Sequence, residues 1–222
     1  MERHVLIPTD GVELDGTLDV PDVASAIVVF AHGTGSSRLS PRNIQVAAHL
    51  RRTGRFGTLL FDLLTPAEDL AHQRRFDIDL LTERLLAATH WLLMQEEAEG
   101  RALGYFGAST GAAAALRASV MLPDVVEAIV SRGGRPDLAG DALPKVHAAT
   151  LLIVGGADHI VLELNRETLR TLGAQEKVLR VVAGATHLFE EPGALQSVEE
   201  YSLAWFEYHL ARSHYLPAGA VL

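Results

Sequence analysis

The stretch that most restricts how this chain can fold is an apolar run ending at Phe106, then Gly107-Ala108-Ser109-Thr110-Gly111, then Ala112, Ala113, Ala114 and Ala115. The run reads as a buried strand and the alanines as the start of a helix, so the chain reverses sharply at Ser109. That is the G-x-S-x-G form of a nucleophile elbow, in which the serine backbone is strained and its Oγ is pushed out above a sheet. Gly107 and Gly111 lack the Cβ atoms that collide across so tight a turn. The alanines let the helix pack closely on the strand, and its N-terminus directs unpaired amides and partial positive charge toward Oγ. A glycine turn with a bystander serine has the same five-residue pattern, so the residues that partner Ser109 decide between the two.

At 222 residues, 48% hydrophobic and 21% charged, the chain suits one α/β domain over residues 1–222. No apolar run approaches the roughly 20 residues that span a bilayer. Met1, Glu2, Arg3 and His4 do not begin a secretory signal, and the chain has no cysteine. A cytoplasmic, soluble protein without disulfides or thiolate sites is expected. The net charge of −9 argues against a nucleic-acid partner.

Residues 5–7 and the alternation of Val12, Leu14, Leu18 and Val20 read as two strands at a sheet edge, joined by a turn at Asp10 and Gly11. Buried strands are expected at 26–31 and 58–61, further strands at 125–130, 150–154 and 177–182, and helices at 41–53, 77–96, 163–172 and 193–210. Residues 63–75 read as a loop. Only 19 residues, 131–149, separate two of the strands, which leaves little room for a lid domain and predicts an open site. Strands alternating with helices imply a mostly parallel sheet of about eight strands with helices on both faces, and ligands at the carboxyl ends of the strands.

A serine needs a histidine to take its proton and a carboxylate to hold that histidine in the right tautomer. Asp158 follows the strand ending at Val154 and His187 follows the strand ending at Val182, so all three residues lie on one rim, in the order Ser, Asp, His. His159 adjoins Asp158 with no strand between them and reads as a surface residue or one that supports the site from behind. Asp62 reads as structural and His32 as a loop-shaping residue. The remaining histidines lack the His-x-x-x-His spacing of a zinc site, and no metal is expected.

Amides of Thr110, next to the nucleophile, and of Thr34, in the glycine loop after Ala31, are the expected oxyanion donors. Gly33 and Gly35 let that loop approach closely, with Gly35 the fallback donor. Arg132 and Arg135, just past the strand at 125–130, could hold a substrate carboxylate with help from Arg38. The alternative, which is favoured, is that they brace loops by pairing with carboxylates such as Glu190 or Glu191.

The segments from His32 to Asn43, Gly107 to Gly111, Gly156 to Asp158 and Gly184 to Glu191 resemble a small, lidless α/β-hydrolase of the dienelactone hydrolase-like group. The resemblance covers nearly the whole chain. It implies a serine hydrolase fold, esterase or lactonase chemistry and no cofactor. Some similar proteins are joined to a phosphoribosyltransferase-like domain, which has no counterpart in this sequence. Dienelactone hydrolases proper carry cysteine at the elbow, so Ser109 argues against dienelactone itself as substrate. The expected activity is hydrolysis of a small carboxylic ester or lactone through an acyl-Ser109 intermediate. An amidase or perhydrolase on the same triad, and a non-catalytic binding module of the same fold, are the alternatives.

Overall fold

The computed structural model describes residues 2–210. The strands are β1 (Arg3–Thr9), β2 (Val12–Asp19), β3 (Ala26–Ala31), β4 (Phe56–Phe61), β5 (Ala102–Ala108), β6 (Val126–Arg132), β7 (Ala149–Gly155) and β8 (Lys177–Val182). They form one eight-stranded sheet in the order β1-β2-β4-β3-β5-β6-β7-β8. β2 pairs antiparallel with β1 and β4, and every other pairing is parallel. The expected hairpin is therefore at the edge, and its turn uses positive φ at Asp10 and Gly11.

Every residue of β3 and β5 is buried, because helices cover both faces. Period-2 alternation sends Ile27 and Val29 to one layer, with Leu81 and Leu85 of α3 (Ile78–Leu93) and Ala113 to Ala115 of α4 (Thr110–Met121). Val28 and Phe30 face the other, with Val46 and Leu50 of α1 (Pro41–Arg51) and Val198 and Phe206 of α6 (Ala194–Leu210). Phe30 and Phe106 meet across the β3/β5 pair with ring centroids 4.8 Å apart. Truncating either to alanine should cost ~3–5 kcal/mol.

Beyond shifts of one to three residues at element ends, three stretches add to or depart from the sequence reading. Residues 63–75 are not all loop: α2 (Pro66–Asp69) forms on a Thr65–Glu68 capping box with Pro66 at its first turn, and a 3-10 turn follows at Arg74–Phe76. α5 (His159–Thr171) begins four residues before the expected start, directly after Asp158. The stretch between β6 and β7 is taken up by 3-10 turns over Pro136–Lys145, and no lid is inserted. Among the described residues no helix is long and apolar enough to cross a membrane.

The order of strands reverses about β3: β4 lies on one side of it and β5 on the other. α1 follows β3 onto one face and α4 follows β5 onto the other, which makes their carboxyl ends the topological switch point where such sheets bind ligands.

Candidate active site

Ser109 adopts φ 50° and ψ −120°, a region L-residues rarely visit, held by Ser109 N–H donating to Arg132 O (3.3 Å) and Arg135 N–H donating to Ser109 O (3.0 Å). The two glycines of the turn serve different contacts. A Cβ on Gly107 falls 2.5 Å from Cα of Ala112, across the turn as expected, whereas one on Gly111 falls 2.2 Å from the carbonyl oxygen of Ala31. Gly111 thus admits the end of β3 rather than the other limb of the turn.

Ser109 occupies the N-cap position of α4, yet its side chain makes no capping hydrogen bond. Asp158 is the N-cap of α5 and likewise makes none. Serine and aspartate at N-caps ordinarily accept from the first helical turn, which contributes about 1 kcal/mol. Here Asp158 Oδ2 instead accepts from Nδ1 of His187 at 2.6 Å, with the carboxylate largely buried and the imidazole 40% exposed. A carboxylate on Nδ1 keeps the proton there and leaves Nε2 as the acceptor. Among the described residues Oγ of Ser109 has no hydrogen-bond partner, as is common for such groups without substrate.

The His187 loop reaches Asp158 by crossing the end of β7. Gly156 N–H donates to Val182 O (2.8 Å) and Ala157 N–H to Ala185 O (2.9 Å), and a Cβ on Gly155 falls 2.3 Å from that same Ala185 oxygen. The loop then turns tightly, with Phe189 N–H donating to Thr186 O (3.3 Å) and Phe189 buried at φ 57°. Gly133 fits beneath it: a Cβ there falls 3.2 Å from His187 O and 3.6 Å from Cε1. The segment 132–135 therefore touches both the Ser109 backbone and the His187 loop, which puts the two on one rim. Sequence reasoning gave Gly133 and Gly155 no role; each opens a Gly-Gly pair at a strand end, which is the available signal.

Gly33 lies against the nucleophile, since a Cβ there falls 2.9 Å from Cβ of Ser109. Gly35 has φ 67°, so only glycine turns the loop there without strain. Thr110 begins α4, where the first amides lack helical acceptors. Among the described residues the amides of Thr34 and Thr110 donate to no backbone carbonyl. His32 is buried; its Nδ1 donates to Gly33 O (3.0 Å) and its Nε2 accepts from Leu63 N–H (3.0 Å). Burial, only partly offset by the Gly33 hydrogen bond and by Asp62 and Asp69, holds its pKa below the ordinary imidazole range. Asp62 accepts from the backbone N–H of Arg38 (2.7 Å).

Each of the three arginines meets a protein partner. Arg38 pairs with Asp62 at 3.3 Å, and Arg135 grips Asp137 with two bonds of 2.9 and 2.7 Å. Arg132 is buried: it donates to Asn43 Oδ1 (3.4 Å) on α1 and stands 5.9 Å over the Phe189 ring. Burial, then repulsion from Arg42, pushes its pKa down to about 10. Of the carboxylates expected as braces, Glu190 pairs with Arg42 (3.2 Å) and Glu191 accepts from Thr186 (2.6 Å). Among the described residues no cluster of three or more His, Asp or Glu could hold a metal.

An eight-stranded, mostly parallel sheet with a strained serine between strand and helix at the carboxyl ends is an α/β-hydrolase fold. The chain is 48% identical to dienelactone hydrolase from Anabaena variabilis, covering 95% of this chain and 98% of that one with a TM-score of 0.90, and it belongs to the dienelactone hydrolase-like α/β-hydrolases. Carboxyl esterase 2 from Tuber melanosporum, at 18% identity, shares the fold with a TM-score of 0.72 over 95% of this chain and 87% of that one. A Mycobacterium tuberculosis protein provisionally named a phosphoribosyl transferase is 52% identical over 209 residues, which are 94% of this chain and 47% of that protein. The chain thus spans about half the length of the curated relatives it matches. No protein-family model matches it.

Proposed function

We propose that this hydrolase cleaves small carboxylic esters or lactones through an acyl-Ser109 intermediate. The observation that carries this reading is the Asp158–His187 hydrogen bond on the rim where Ser109 withholds its side chain from capping. Nε2 of His187 takes the Ser109 proton as Oγ attacks the carbonyl carbon, and the Thr34 and Thr110 amides receive the charge on the carbonyl oxygen. His187 then returns the proton to the departing alkoxide, or to the tethered alkoxide of a lactone. Water repeats the sequence on the acyl-enzyme and restores Ser109. Because Arg38, Arg132 and Arg135 are engaged by protein groups, we read the substrate as neutral. The phosphoribosyl transferase name belongs, in this reading, to the half of the longer relative that this chain does not cover.

The test is hydrolysis of a short activated ester by the parent and by Ser109→Ala, which removes one oxygen and leaves the fold. Turnover should fall to below a few per cent of the parent; activity above that level contradicts the assignment. A matched ester and amide separate esterase from amidase, since only the ester should turn over at an appreciable rate.

A further inference from the structure

Thr34 and Thr110 are joined by more than their positions after the neighbouring strands β3 and β5. Oγ1 of Thr34 donates to the carbonyl oxygen of Arg75 at 3.0 Å, and it also lies 3.0 Å from Oγ1 of Thr110. A hydroxyl has one proton and two acceptor positions, and a carbonyl can only accept. The Thr34 proton is therefore committed to Arg75, and Thr110 supplies the proton of the second bond. The result is a directed chain, Thr110 to Thr34 to Arg75. Its far end is fixed in turn: the Arg75 guanidinium binds the carbonyl (2.6 Å) and carboxylate (2.9 Å) of Asp69, at the end of the capped helix α2. The small space lined by His32, Gly33, Thr34, Gly35 and Thr110 measures about 10 Å³, room for about one water. The bonds that both hydroxyls make are to protein groups.

We propose that this hydroxyl chain positions the two oxyanion donors, so that Thr34 and Thr110 act through their side chains as well as their amides and the segment 65–77 sets the width of the oxyanion site. The inference rests on the acyl-serine reading above. Both hydroxyls are held by residues whose backbones leave different strands, β3 and β5, and nothing covalent fixes the gap between their amides. A side-chain tether across that gap lets the site receive developing charge without reorganising, which is where such donors derive their effect.

The experiment measures the acylation rate of Ser109 by a short activated ester and by a fluorophosphonate in Thr34→Val, Thr110→Val, the double variant and the two serine replacements, with thermal unfolding alongside. Each valine variant should acylate about tenfold more slowly at nearly unchanged KM. The double variant should be no slower than the slower single one, because one chain is cut in either case. Serine, which keeps the hydroxyl, should recover most of the loss. The Tm should fall more in Thr34→Val than in Thr110→Val, since only the former strands both a carbonyl and a hydroxyl. A labelled parent whose valine variants acylate at the parental rate, or whose losses multiply, overturns this inference and leaves the acyl-serine reading standing. A parent that no phosphonate labels overturns both.

Discussion

Nδ1 of His187 donates to Oδ2 of Asp158 at 2.6 Å, although the two leave different strands and Asp158 could have capped its own helix instead. A short, charge-assisted bond of this kind fixes the imidazole tautomer and steadies the imidazolium that forms when serine gives up its proton. Asp158→Asn keeps the shape and reverses the tautomer preference. Its kcat toward a short ester should drop ~10³–10⁴-fold with Tm within a few degrees of the parent. A loss below tenfold contradicts an orienting role.

Gly155→Ala tests how that bond is assembled. The new methyl falls within 2.3 Å of Ala185 O and 2.6 Å of Thr186 O, so the His187 loop has to move off β7. Overpacking of this type costs ~1–3 kcal/mol, and a shift of about 1 Å at His187 costs about 10² in rate. Urea unfolding and kcat should both respond; unchanged kcat in a destabilised variant means the loop keeps its place.

His32 gives a pH dependence of stability with a definite sign. Its folded pKa lies below the ordinary 6.5, so the unfolded chain binds a proton that the native state refuses. This contribution is complete above about pH 6.5 and is lost as pH falls toward the folded value, with a slope of at most about 1.4 kcal/mol per pH unit. Protonation also ends Nε2's role as acceptor for Leu63 N–H. His32→Asn, which cannot titrate, should show a flatter fall in unfolding free energy between pH 7 and pH 5. Equal slopes in parent and variant contradict the argument.

Substrate charge separates the two roles of the arginines. Arg132 is buried against Asn43 and Phe189, and Arg135 is bonded twice to Asp137. An ester ending in a carboxylate should therefore be no better a substrate than its neutral amide analogue, and Arg135→Ala should leave their kcat/KM ratio unchanged. A parental preference of tenfold or more for the carboxylate, narrowed in Arg135→Ala, means that the site recruits the cation.

Much of the frame is legible in the sequence because it follows from local pattern. The continuous apolar runs gave β3 and β5, and Ser109, Asp158 and His187, each shortly after a strand (β5, β7 and β8), share one rim. The capping box at Thr65 and Glu68 was also legible, yet the polar and breaker residues around it read as loop. The early start of α5 escapes a periodicity argument because Ile160, in its first turn, points into solvent. What no local reading supplies is contact between distant segments: Gly111 against Ala31, Gly155 against Ala185, Arg132 against Asn43. Arginines near the carboxyl end of a strand look like anion ligands until the partners that engage them are visible.

The open rim bears on chain length. Each methylene of a long acyl group left in water forgoes ~0.8 kcal/mol that burial supplies elsewhere. Four-carbon acyl esters should accordingly match or exceed twelve-carbon ones in kcat/KM, and a steady rise with length contradicts an open, lidless site.

The most direct measurement of the central claim is intact-mass and peptide analysis after treatment with a fluorophosphonate. The parent should gain one phosphonyl group, located on Ser109, with loss of esterase activity in step with labelling; His187→Ala should label far more slowly and Ser109→Ala not at all. An unlabelled parent, or a label on any residue other than Ser109, contradicts the account.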